Sequence, residues 1–149
     1  MKTLIVIDIQ KTYISKYDSG LVKRINERIE EAQKDYYNIV YVKNTKKLRS
    51  GKVTDEFYDE LFIASENVFC KEQADAFSTE ELVAYLRSKD TTEVEIVGVD
   101  GNSCVFASAK GAIKQGFSVS ISLKCVGIAN LSRFEKTKES MVKLGVKLL

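Results

Sequence analysis

The sequence predicts an α/β fold, a mostly parallel sheet with helices on both faces. Apolar runs of strand length alternate from end to end with helix-length amphipathic segments, the pattern of right-handed βαβ units. The first run, TLIVID at 3–8, is continuously apolar up to its terminal acid, as a strand covered on both faces is. Connections are short, without Pro, repeat or linker-like composition, so residues 1–149 read as one domain.

After the first strand, Asp18 or Ser19 is placed to cap a helix. Its stripe is Leu21, Val22, Ile25, Ile29 and Ala32, at the spacing of one helical face. NIVYVK at 38–43 is the second strand, and Thr54 opens a short helix with Phe57, Tyr58, Leu61 and Phe62 on its apolar side. NVFC at 67–70 is a brief third strand. Ser78 and Glu81 then form a capping-box pattern before Leu82, Val83, Tyr85 and Leu86. EVEIVGV at 93–99 is the fourth strand, followed by a helix from about 103 to 115 that Gly116 ends. SVSISL at 118–123 alternates Ser with apolar residues, which predicts a strand covered on one face and near a sheet edge. Ser132 and Glu135 repeat the capping-box pattern before a last helix closed by Gly145, and VKLL adds a sixth strand.

Composition removes several function classes. Lys and Arg number 23 against 21 acids, a net charge of +2, which gives no electrostatic case for nucleic acid. No apolar run approaches the roughly 20 residues of a membrane span, and Asp8 interrupts the amino-terminal burst too early for a signal peptide. A cytoplasmic protein without membrane partners is the expectation. KNTKKLRSGK at 43–52 concentrates five cations; it reads as a solvated loop, or as a patch that steers an anionic substrate. The chain has no His, so neither a Cys–His nor a Ser–His–Asp mechanism can be assembled within it. Cys70, Cys104 and Cys125 are widely spaced, unlike zinc ligands, and their odd number argues against a disulfide framework. No metal or cofactor is expected.

In an open parallel sheet, ligands bind beyond the carboxyl ends of the strands. Asp8 ends the first strand, Lys71 follows the third, and Cys104 lies in the first turn of the helix after the fourth. An acid, a cation and a thiol thus converge on one crevice. Cys104 stands beside Asn102 and Ser103, both candidate N-caps, where helix N–H groups favour a thiolate. Cys70 and Cys125 fall within or beside strands and read as structural. In the chemistry this allows, Asp8 takes the thiol proton, Lys71 stabilises the anions, the thiolate attacks a carbonyl and water cleaves the acyl-enzyme.

These motifs carry a family resemblance. LIVIDIQKTY resembles the opening motif of the isochorismatase-like cysteine hydrolases. KEQADAF is similar to their Lys with Phe six residues on, and GVDGNSCVFASAKGAIKQGFSV to their Gly and Cys-Val signature. The resemblance implies a Rossmann-like three-layer sandwich with a six-stranded parallel sheet and an Asp8–Lys71–Cys104 triad. It also implies a cis peptide at Val99–Asp100 and an oxyanion hole from the backbone N–H groups of Asp100 and Cys104. Tyr13 would line the substrate pocket, with Gln10 beside it. The substrate would be a small amide or related carbonyl compound, and the chain would work as a homo-oligomer, a dimer or tetramer. The sequence departs from the family pattern at Asp100, where a small residue is common. It departs again at KNTKKLRSGK, where metal-dependent nicotinamidases carry an Asp and His residues.

Two alternatives stand beside this reading. DIQKT at 8–12 is also comparable with the Asp-x-Asp-x-Thr opening of haloacid-dehalogenase-type phosphatases, with Gln10 in place of the second Asp. A binding or scaffold module that retains the fold without chemistry is the other.

Overall fold

The apolar amino-terminal run forms β1 (Lys2–Ile7), the third of six strands in one sheet. The computed structural model describes residues 1–46 and 55–149. Among them, the other strands are β2 (Asn38–Asn44), β3 (Val68–Lys71), β4 (Glu93–Val99), β5 (Ser118–Gly127) and β6 (Lys147–Leu148). They lie in the order β3-β2-β1-β4-β5-β6, and every pairing is parallel. Strand order therefore reverses between β1 and β4, and the carboxyl ends of these two strands flank the topological switch point.

Alternate residues of the strands serve two cores. Ile5, Ile7, Val40, Val42 and Ile96 face α2 (Glu80–Ser88), α3 (Cys104–Lys114) and α4 (Leu131–Lys143). Leu4, Val6, Tyr41 and Val97 face α1 (Leu21–Lys34). The five apolar residues of the predicted α1 stripe are all buried, and burial of Leu21, Val22, Ile25 and Ile29 is worth roughly 1.5–3 kcal/mol each. On this face Glu95, wholly buried, is met by the Arg28 guanidinium of α1 at 2.6 and 2.9 Å, so its charge is paired rather than orphaned. The result is a three-layer α/β sandwich. No helix of the described residues is long and apolar enough to cross a membrane.

Several local expectations are corrected. Thr54 lies outside the described residues, but Phe57, Tyr58, Leu61 and Phe62 do not form a helix. Their backbone is held by the chain leaving β1: Lys11 N–H donates to the Glu56 carbonyl and Tyr58 N–H to the Ile9 carbonyl. Phe57 bridges Gln10 in antiparallel fashion. Backbone hydrogen bonds taken by β1's extension are unavailable to a helix. The aromatic side chains still cover the sheet on the α1 side, with Phe57 edge-on to Tyr41. Lys71 is the last residue of β3 rather than the residue after it. β5 runs on to Gly127 and lies next to the edge strand β6, near the sheet edge as expected, but Ser120 and Ser122 are buried, so the Ser alternation did not mark a solvated face. Of the basic stretch, residues 47–52 lie outside the described residues, whereas Lys43 stacks 4.4 Å from the Phe57 ring centroid.

The caps differ from their sequence signatures because a turn residue often makes a better acceptor elsewhere. Gly20, not Asp18 or Ser19, is the N-cap of α1, and Asp18 instead accepts from Gly20 N–H and from Arg24. Thr79 is the N-cap of α2 without a side-chain bond, while Ser78 sits in a 3-10 turn and donates to the Asp75 carbonyl. Asn130, not Ser132, caps α4 by accepting from Arg133 N–H at 3.1 Å. Asn130→Ala is therefore expected to destabilise the protein by about 1 kcal/mol, read as a lowered midpoint in urea unfolding, whereas Ser132→Ala leaves that midpoint nearly in place.

Candidate active site

Asp8 leaves β1 with a left-handed backbone, φ +57°, a conformation that Asp tolerates better than most residues. Its N–H is still held by the Val42 carbonyl of β2 at 3.0 Å. The buried carboxylate turns toward the switch point, where Oδ2 lies 3.1 Å from Lys71 Nζ. Lys71 reaches over from the end of β3. Its ammonium donates to the Gln73 carbonyl at 3.1 Å and lies 3.4 Å from Cys104 Sγ. Its three donors thus have three partners, which is what allows a charged Lys to be buried. Cys104 opens α3 immediately beyond β4. The structure brings Asp8, Lys71 and Cys104 together from the carboxyl ends of three separate strands, or just beyond them.

The second oxygen of Asp8, Oδ1, is buried and accepts no hydrogen bond of ordinary geometry among the described residues. Burial pushes the Asp8 carboxyl above its ordinary value, and the Lys71 ammonium chiefly opposes that rise, with the Cys104 thiol and the Asn44 amide assisting. The Cys104 thiol is pushed up as well, by burial first and by the negative charge of Asp8 second, against the pull of Lys71. The helix start favours a thiolate, as the sequence suggests, but other influences act on the sulfur as well. Burial and the Asp8 carboxylate favour the neutral thiol over the thiolate and so oppose the dipole. Neither candidate cap supports that dipole by side-chain bonding. Ser103 is the N-cap without a side-chain bond, and Asn102 instead donates to the Asn130 carbonyl and accepts from Thr137.

A cleft of about 300 Å³ opens over Cys104, lined by Asp8, Tyr13, Tyr17, Asn44, Asp100 and Cys104 among others. Tyr13 therefore stands in the cleft, where burial and the charges of Asp8 and Cys104 raise its phenol. Gln10 does not. It is wholly buried, its Oε1 accepting from Asn44 N–H at 2.7 Å and its Nε2 donating to the Asn44 carbonyl at 3.0 Å. The side chain continues the β1–β2 ladder by one rung and fixes the chain on which Asp8 and Tyr13 are carried. With Gln10 so engaged, no second polar group stands two residues after Asp8 in the manner of a phosphatase acid/base. The Val99–Asp100 peptide is cis. The backbone N–H groups of Asp100 and Cys104 make no hydrogen bond among the described residues, although those of Ser103 and Val105 both donate to the Asp100 carbonyl.

Tyr17, Lys16, Asn44 and Ala129 also line the cleft and were not singled out in the sequence. The strand-end rule, applied to β2 as it was to β1 and β4, would have found Asn44. Nothing in sequence pattern marks Tyr17. Cys70 is exposed on β3 and Cys125 buried in β5, both away from the cleft. A larger hollow of about 490 Å³ lies at the opposite end of the sheet, between Lys2, Glu93, Phe117 and Lys147, and contains none of the predicted residues.

The family model for the isochorismatase domain matches residues 2–149. No curated protein matches the chain. Among solved structures, a pyrazinamidase of Pyrococcus horikoshii in complex with zinc superposes with a TM-score of 0.88 at 22% identity, over 99% of this chain and 98% of that one. An N-carbamoylsarcosine amidase from Thermoplasma acidophilum gives 0.85 at 20% identity, over 99% and 94%. A nicotinamidase from Staphylococcus aureus gives 0.83 at 25% identity, over 99% and 97%. The donor set here does not fit a zinc centre. The chain has no His, and no three Cys, Asp or Glu side chains among the described residues converge to hold a metal. With the sandwich, its strand order and the match along nearly its whole length, the chain belongs to the isochorismatase family of hydrolases.

Proposed function

We propose that this protein hydrolyses the C–N bond of a small amide or related carbonyl compound, with Cys104 as nucleophile, Asp8 as general base and acid, and Lys71 as electrostatic stabiliser. The observation that carries the reading is the buried Asp8 carboxylate. One oxygen is paired with Lys71 at 3.1 Å and the other accepts no hydrogen bond of ordinary geometry among the described residues, with the Cys104 thiol held to the same ammonium at 3.4 Å. A buried acceptor left open beside a neutral thiol is a place for that thiol's proton.

The steps follow from those positions. As Sγ attacks the carbonyl carbon, the thiol proton passes to Asp8 and the carbonyl π pair moves to oxygen. The backbone N–H groups of Asp100 and Cys104 receive the oxyanion. Collapse breaks the C–N bond, and protonated Asp8 returns its proton to the leaving nitrogen, giving a thioester. Asp8 then takes a proton from water as it attacks, the C–S bond breaks, and the proton goes back to sulfur. Lys71 keeps its ammonium throughout and offsets whichever of Asp8, the thiolate or the oxyanion is charged. A cleft of about 300 Å³ limits the substrate to a small molecule, with Tyr13 against it. The amidase names of the structural relatives support the C–N bond as the one cleaved.

Incubation with nicotinamide, pyrazinamide and N-carbamoylsarcosine, with ammonia release as readout, tests the activity. Acid quench followed by peptide mass spectrometry tests the intermediate. An acyl adduct on the Cys104 peptide, absent from those of Cys70 and Cys125, is the expected result, with turnover indifferent to EDTA. Ammonia release without any Cys104 adduct, or abolished by EDTA, would remove the thiol mechanism.

A further inference from the structure

A carboxyl side chain beside the proposed oxyanion hole is an unexpected neighbour for a developing negative charge, and Asp100 carries one. Its carboxylate, however, is fully engaged. Oδ2 accepts from the Tyr17 hydroxyl at 3.1 Å and from Ala129 N–H at 2.9 Å, and Oδ1 accepts from Asn102 N–H at 2.8 Å. These donors come from the three segments that follow β1, β5 and β4, so one carboxylate ties those three loops together. We propose that Asp100 is a positioning residue whose side chain braces the loop before α3 so that its own N–H and that of Cys104 stay aimed into the cleft. The inference rests on the thiol chemistry proposed above.

The surrounding contacts show why the brace acts on that loop. Gly101 N–H donates to the Gly127 carbonyl at 2.8 Å, and Asn102 Nδ2 to the Asn130 carbonyl at 2.9 Å. Thr137 donates to Asn102 Oδ1 at 2.6 Å. A Cβ on Gly101 would sit 2.8 Å from Phe134 Cε1 and 3.0 Å from Ile128 and Val126 side-chain carbons. The loop is seated so closely on β5 and α4 that small shifts at residue 100 pass directly to the N–H groups of Asp100 and Cys104. Three donors placed on the carboxylate also neutralise much of its field at the oxyanion position. Burial and the charge of Asp100 raise the Tyr17 phenol far above its ordinary value, which keeps it a donor throughout the neutral range.

Two reagents that attack the same sulfur separate a brace of the oxyanion hole from a general structural role. p-Nitrophenyl acetate acetylates Cys104 through a tetrahedral oxyanion, the S–C bond forming as p-nitrophenolate leaves and the thiol proton going to Asp8. Iodoacetamide alkylates the same thiol at a saturated carbon with loss of iodide, and no oxyanion forms. Both rates are followed at the Cys104 peptide by mass spectrometry for wild type, Asp100→Ala, Asp100→Asn and Tyr17→Phe. Asp100→Ala is expected to slow acetylation by about 30-fold, the scale of a displaced oxyanion donor, with alkylation within about twofold of wild type. Asp100→Asn, which keeps one oxygen acceptor, should recover part of that loss, and Tyr17→Phe should cost acetylation about threefold. Tyr17→Phe deletes a single oxygen and carries the test if Asp100→Ala does not fold. Equal slowing by both reagents, or no slowing by either, overturns the proposal. A wild-type Cys104 inert to p-nitrophenyl acetate would instead overturn the thiol chemistry beneath it.

Discussion

Asp8→Asn is expected to lower hydrolysis by about a thousandfold, within the range that a positioned general base supplies. The amide fills the same space but cannot take the thiol proton. Lys71 is left as a buried ammonium without its carboxylate partner at 3.1 Å. The wild-type pH profile carries the matching signature. Burial raises the Asp8 carboxyl above the 3.8 of an ordinary aspartate, although Lys71 opposes the rise. A raised carboxyl is already protonated at pH values where an ordinary one is ionised, so kcat/KM must fall on acidification at a higher pH than 3.8 would give. The residual rate of Asp8→Asn should lose that acid limb. An acid limb that survives unchanged in Asp8→Asn would assign the base to another group.

Gly98→Ala is expected to destabilise the protein by about 4 kcal/mol or more, a size reserved for steric and backbone conflicts without an escape. Gly98 has φ +128°, and a Cβ there would lie 2.1 Å from the Ile7 carbonyl oxygen and 2.8 Å from the Ile7 nitrogen. Those atoms are backbone of β1, paired with Gly98 in the centre of the sheet, so no side-chain rotation relieves the overlap. The register of β4 against β5 also shifts between Ile96 and Gly98, where the irregularity redirects β4 toward Val99 and the cleft. Thermal unfolding followed by circular dichroism should show a midpoint lower by about 10 °C or more. A variant melting within about 2 °C of wild type would show that the strands part more easily than this packing implies. Asp8 directly follows Ile7, so any variant that does fold should also hydrolyse amides poorly.

Much of the architecture was legible because it depends on local periodicity. The α1 stripe from Leu21 to Ala32, the continuous β1 run and the glycines at 116 and 145, both with positive φ, are written residue by residue. Strand-end logic also anticipated that Asp8, Lys71 and Cys104 lie within reach of one another. The segment around Phe57 and Tyr58 failed for a physical reason. Its apolar spacing fits a helix, but its backbone hydrogen bonds are claimed by Ile9, Gln10 and Lys11, residues close in space and nearly fifty positions away in sequence. Asn130 displaced Ser132 as a cap because both sit at the same turn and only the side chain at the boundary reaches Arg133 N–H.

By itself, the sequence determined the alternation of strands and helices, the faces they bury, and the absence of any imidazole from the chemistry. The tertiary structure alone decided how the charges stand at the cleft. Whether Cys104 rests as thiol or thiolate depends on burial and on distances to Asp8 and Lys71, which come from strands far apart in the chain. Gln10 became a backbone clamp and Asp100 an acceptor for three loops for the same reason. A side chain's partners are set by the approach of distant segments, and no local spacing encodes that approach.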